Sequence, residues 1–407
     1  MNVFDKILNF EYKNNIGLVN MTDEFFALYL KKLFEKENND ILIVTPSIYE
    51  ANKLNNIMSN YIDSLCFFAD DLLLSNVLDL SNESKTDRLS ILNNLLNNGK
   101  KIVFTDVNGY LMKVPSVDNY KKKIISLKKD DVINVDDFLL NLVENGYTRE
   151  SVVTKTGEFA ARGFVIDIYL INYDYPVRVE LFGDQIESIR FFDPTSQKSI
   201  NEVDEISLYP FVEAKDNCNI LAYMHNPIVF YKDYAQIVSN YNKLCDEYNS
   251  SFSETEKPFV DFYDVKPSRC GYYFDLDNDT CNLNISDVVD YSARSVECFN
   301  ENMNKINDYL VNKLKNNKTI VICLNNTDIK KFVSFLTVDY VLTDENNIFS
   351  NKVNVIKNSI SYGFEVDNYI FLSEYELFNR IFNGQGGYSD KSDGFSGYYR
   401  KQYGTIF

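Results

Sequence analysis

Between Thr22 and Phe34 the apolar residues Phe25, Phe26, Leu28, Tyr29, Leu30 and Leu33 recur at the three- and four-residue spacing of a helix face. The stretch that follows, "DILIVTPSIYEANKL", is an unbroken apolar run leading into a second helical pattern, which predicts a buried strand and then a helix. The alternation repeats. "TDRLSILNNLLNNGK" predicts a helix ending at Gly99, and "KIVFTDVNGYLMKVPS" a second buried strand with a turn after it. Residues 1–118 are therefore expected to form a parallel-sheet α/β domain.

Beyond this point the pattern changes. The lysine-rich run "YKKKIISLKK" at 120–129 reads as a solvated connector. "VDDFLLNLVENGY" predicts a short helix closed by Gly146. From Ser151 to Leu208 period-two alternation dominates, with turns at Tyr173–Pro176, Gly183–Asp184 and Asp193–Thr195. Residues 119–210 are thus expected to be an inserted α+β domain, mainly antiparallel. Residues 211–296, with the strand and helix of "NPIVFYKDYAQIVSNYNKLCDEY" and the stretch "KPSRCGYYFDLDND", return to the first architecture. Residues 297–382 form a small further α/β domain: the helix "NKINDYLVNKLKNN", the strand "KTIVICLNN", a helix at 327–336 and short strands ending in "NYIFLSEYELF". The Gly-, Ser- and Tyr-rich segment 383–407 is expected to be a disordered tail.

Inside the insert, alternation along "PVRVELF" puts Val177, Val179 and Leu181 on one face and Arg178, Glu180 and Phe182 on the other. The first set is core. The second combines an arginine with an aromatic, the mixture found at the anchors of protein interfaces. The competing reading buries Phe182 in a second layer and pairs Arg178 with Glu180. In "GEFAARGFVIDIYLI", Phe164, Ile166 and Ile168 fall on one face and Val165, Asp167 and Tyr169 on the other. Gly163 predicts a bulge or a close backbone approach, which would turn Arg162 outward. A two-residue turn at Gly183–Asp184 would set Glu180 opposite Glu187, so a longer loop is expected there.

Composition removes several chemistries. The chain has 407 residues, a net charge of −18, seven cysteines without a CxxC pair, and one histidine, His225. Structural zinc and histidine-based catalysis have too few suitably spaced ligands, and no cofactor is implied. The acidic balance disfavours a phosphate-tracking surface. No apolar run reaches the ~20 residues of a membrane span, so a cytoplasmic protein is expected.

The block from Gly146 to Ser199, with GEFAARG, IDIY, PVRVELFGD, IESIR, FD and TSQKS in order, closely resembles domain 2 of the bacterial transcription-repair coupling factors, the Mfd family. A more distant likeness is to the excision-repair protein UvrB. Weaker similarity in "ILIVTPSIYEANKL", "DRLSILNNLL" and "NYIFLSEYELF" extends it over most of residues 10–382. The resemblance implies a degenerate phosphate-loop-like first domain carrying the insert, and UvrA as the partner. It assigns the contact to Arg162 of the ARG motif and to Arg178 and Phe182 of PVRVELF. It further implies that RNA polymerase and DNA are engaged only through C-terminal regions not found here, so that this chain looks like one portion of the whole, truncated or split. The slot of UvrB's phosphate loop, "NNIGLVNMTDEFFALYL", holds only Gly17 and no GK[ST]. This predicts a chain that is not itself an enzyme. A UvrB-like ATPase or helicase fragment and a nucleic-acid-binding module are the alternatives.

Overall fold

The protein is described here by a computed structural model, covering residues 2–8, 10–69, 72–73, 82–213, 215–251, 257–274, 283–383 and 387–390. Its centre is a seven-stranded sheet ordered Asp287–Asp290, Ile16–Val19, Arg269–Phe274, Ile228–Lys232, Ile41–Thr45, Ile102–Asp106 and Leu65–Phe67. Every pairing in it is parallel. The strands 41–45, 102–106 and 228–232 are buried at every position, as a sheet covered on both faces demands. The helix Asp23–Lys36 packs on one face and is opened by the Thr22 hydroxyl, which accepts a bond from the Phe25 amide at 3.2 Å. The strand Ile102–Asp106 runs directly into the short helix Val107–Leu111, where the sequence suggested only a turn.

The second sheet has six strands, ordered Ser199–Glu202, Gln185–Phe192, Val177–Phe182, Val165–Ile168, Glu158–Arg162 and Thr148–Arg149. It is antiparallel except at the short 148–149 edge. The lysine run is not a simple connector: Ile125–Lys128 is a strand paired antiparallel with Glu205–Leu208. Leu127 turns inward and Lys128 outward, so the charged residues occupy the solvent side of a real element.

The apolar cores of the two sheets are continuous. Val44 and Val103 of the first belong to the same buried cluster as Ile166, Val179 and Ile189 of the second. The chain returns from the second sheet through Phe211, which lies against Tyr147 with ring centroids 6.0 Å apart, and through Glu213, held by Arg88 in a two-pronged ion pair at 2.7 and 3.0 Å.

A third, mixed sheet of six strands runs Arg294–Ser295, Phe364–Val366, Tyr369–Leu372, Thr319–Leu324, Val353–Lys357 and Tyr340–Thr343. It packs on the helix side of the parallel sheet, with Phe25 edge-on to Phe364 and Phe4 stacked on Phe371. Arg380–Asn383 pairs antiparallel with Gly387–Asp390 at the start of the segment expected to be a disordered tail. Residues 391–407 lie outside the described residues.

Candidate partner-binding face

The strand Val177–Phe182 alternates as its sequence requires. Val177, Val179 and Leu181 are buried, whereas Arg178 and Glu180 are half-buried and Phe182 keeps 78% of its surface exposed. The neighbouring strands fix which residues share the outer face, because cross-strand partners lie on the same side. Asp167 opposes Arg178, Arg190 opposes Arg178 from the other flank, and Val165 opposes Glu180. Arg162 opposes Val165 and closes the row.

The chemistry of this face centres on a carboxylate the sequence did not single out. Asp167 is 2% exposed and is held by both arginines. Arg178 grips it with two parallel bonds, Nε to Oδ1 at 2.7 Å and Nη2 to Oδ2 at 2.9 Å, while Arg162 Nη2 reaches Oδ2 at 3.1 Å. Such a two-pronged pair fixes the guanidinium plane. The plane lies 4.4 Å from the centroid of the Phe192 ring, and Nη2 also donates to the Gln197 side chain at 2.9 Å. Hydrogen bonding to Asp167 raises the Arg178 pKa above its ordinary value. Gln197 belongs to the TSQKS turn, which the Asp193 carboxylate just before it holds by accepting the Thr195 and Ser196 amides at 3.0 and 2.6 Å. The turn is thereby part of the arginine's mounting.

Arg178 therefore does not pair with Glu180. Glu180 takes Arg190 and the Ser188 hydroxyl instead. The geometry of the 182–185 turn explains this. The loop is only Gly183–Asp184, with Phe182 facing Gln185, but the register then shifts between Ile186 and Ser188, so Ser188 and not Glu187 meets Glu180. A bulge, rather than the longer loop expected, removes the clash of like charges.

The other correction concerns Phe164. Placed by alternation with Ile166 and Ile168 on the core face, it is 66% exposed. Gly163 has φ +59° and, with Phe164, makes the turn between Arg162 and Val165, so Phe164 stands beyond the sheet's end. Gly163 makes no close backbone approach: a Cβ there would meet nothing within 4 Å. Arg162, with 56% of its side chain exposed, remains open to a partner; Arg178, at 18%, shows only an edge of its guanidinium.

This face is carried by an antiparallel sheet that falls within residues 125–213, and those residues match the model of the UvrB interaction domain. Over longer stretches the chain is similar to proteins named transcription-repair-coupling factor. That of Staphylococcus haemolyticus is 32% identical over 197 residues, 48% of this chain and 17% of the relative. The Staphylococcus epidermidis protein is 26% identical over 317 residues, 74% of this chain and 26% of its own length. The Bacillus subtilis protein is 30% identical over 190 residues, 46% and 16% respectively. The resemblance carried by the motifs thus reappears across most of the chain, which spans about a quarter or less of these relatives. Among the described residues no helix is long and apolar enough to cross a membrane.

Proposed function

We propose that this chain is the UvrA-recruiting module of a transcription-repair coupling factor, acting in nucleotide excision repair by binding and not by catalysis. Arg162, Arg178 and Phe182 make the contact; RNA polymerase and DNA are met by other parts of the whole protein. The observation that carries this reading is Phe182. A large aromatic at 78% exposure, on a strand whose alternate residues are fully buried, gives the fold nothing and suits an interface anchor. The test is UvrA binding by calorimetry alongside thermal melting. Phe182→Ala is expected to keep the wild-type melting temperature and to lose roughly thirtyfold in affinity, the equivalent of ~2 kcal/mol. A variant that binds UvrA as wild type sinks the assignment.

The non-catalytic part of the reading is supported by the slot where a phosphate loop would lie. Strand Ile16–Val19 reaches helix Asp23–Lys36 through Asn20, Met21 and Thr22 alone. The Asp23 carboxylate stands at the helix start and is met by Lys53 at 2.6 Å and Lys232 at 3.3 Å. An acidic side chain thus takes the cations that a nucleotide phosphate would need. Titration with ATP and magnesium should give no heat of binding; a dissociation constant tighter than roughly 100 μM, about −5.5 kcal/mol, revives the ATPase alternative.

A further inference from the structure

Beyond the three motif residues, the hairpin end of the same face continues onto a segment the motifs do not include. Residues 130–133 lie alongside the start of strand Gln185–Phe192. The Asp130 amide bonds the Ile186 carbonyl at 2.9 Å, the Ile186 amide the Asp131 carbonyl at 2.8 Å, and the Ile133 amide the Asp184 carbonyl at 2.8 Å. The register pairs Val132 with Gln185, and Gln185 with Phe182. Cross-strand partners share a face, so Val132 projects from the same side as Phe182, two strand spacings or about 10 Å away. Val132 is 75% exposed. Between the two, the Gln185 side chain bonds back to the Asp130 carbonyl at 3.3 Å.

We propose that the UvrA-binding face extends across the hairpin onto this segment, with Val132 as a second apolar anchor beside Phe182; the proposal rests on the UvrA reading given above. The charges fix the orientation of the partner. At one end, Arg162 and Arg178 share the single carboxylate of Asp167, leaving a positive charge unmatched there. At the other, Asp130, Asp131 and Asp184 are exposed around the apolar pair. The matching surface on UvrA is an apolar cleft with a carboxylate on the Arg162 side and basic side chains on the Val132 side. Val132 is exposed, so changing it removes no buried contact and costs the fold only a small strand-propensity difference, and any larger effect belongs to the complex.

The experiment compares UvrA affinity and melting temperature for the full chain and for Val132→Asp, Val132→Lys and Phe182→Ala. Both Val132 variants are expected to melt as wild type and to bind UvrA roughly tenfold or more weakly, because each puts a charge into an apolar cleft. Loss with Phe182→Ala but wild-type binding by both Val132 variants overturns the extension and leaves the UvrA reading standing. Weakening by one sign of charge alone also overturns it, since that is an electrostatic effect and not an apolar anchor. Weakening that tracks a fall in melting temperature assigns Val132 to the fold and overturns it too. If the unaltered chain does not bind UvrA, the parent reading and the extension fall together.

Discussion

At the residue scale, the face separates into groups the fold needs and groups it does not. Arg178 is needed: removing it leaves Asp167, buried at 2% exposure, with Arg162 as its one remaining guanidinium. Arg178→Ala is expected to destabilise the chain by ~2 kcal/mol, visible as a lowered melting temperature, besides weakening UvrA binding. Its loss of affinity must therefore be read per folded molecule; Arg162→Ala, which removes one bond to the same carboxylate, carries a smaller share of that burden, and Phe182→Ala carries none. Strand alternation was enough to place Val177, Val179, Arg178 and Phe182 on their sides. It could not reveal Asp167 as the shared acceptor, because that depends on which rungs of two strands meet, a fact about register and not about either strand's own pattern. Phe164 was misplaced for a local reason: alternation holds only inside a strand, and the turn at Gly163, with its positive φ, delays the start of the strand to Val165, one residue beyond Phe164.

At the element scale, the buried parallel strands at 41–45, 102–106 and 228–232 were legible because their apolar runs are continuous, whereas those at 16–19 and 269–274 were not, since Gly17 and Gly271 and short polar-flanked runs blur the signal. The strand at 125–128 was not, since its partner lies at 205–208 and its lysines mask a simple in-and-out alternation. The GEF motif has a structural reason visible only in three dimensions. Gly157 has φ +88°, and a Cβ on it would come within 2.4 Å of the Phe211 ring. Its neighbour Glu158 uses Oε2 to accept the Thr154 and Lys155 amides at 2.7 and 2.9 Å. Gly157→Ala should cost ~2 kcal/mol or more, combining an unfavourable backbone with a displaced core ring, and circular dichroism melting would show it. Melting equal to wild type would mean that Phe211 moves aside without penalty.

At the scale of the whole molecule, the third sheet is joined to the first through Glu24. This side chain is fully buried, accepts the Tyr61 hydroxyl, and takes the Tyr362 amide at 3.1 Å from the far side of the junction. Burial pushes its pKa up to about 8, with the bonds from Tyr61 and Tyr362 acting in the opposite sense. Between the ordinary carboxylate range and about pH 8 the unfolded chain has released a proton that the fold retains, so this group's contribution to stability falls as pH rises and levels off above. Glu24→Gln, which cannot titrate, should flatten the dependence of melting temperature on pH between about 5 and 8 relative to wild type; identical slopes would show that Glu24 is ionised throughout. The seam at Phe211 and Glu213 bears on a different property. The antiparallel sheet shares its apolar core with the parallel one, and the segment that returns from it is clamped at Glu213 by Arg88, so among the described residues that path is held at both Phe211 and Glu213. A load applied at Phe182 is then carried into the central sheet as into a fixed bracket, and anything docked there would move with the body of the protein instead of trailing on a tether.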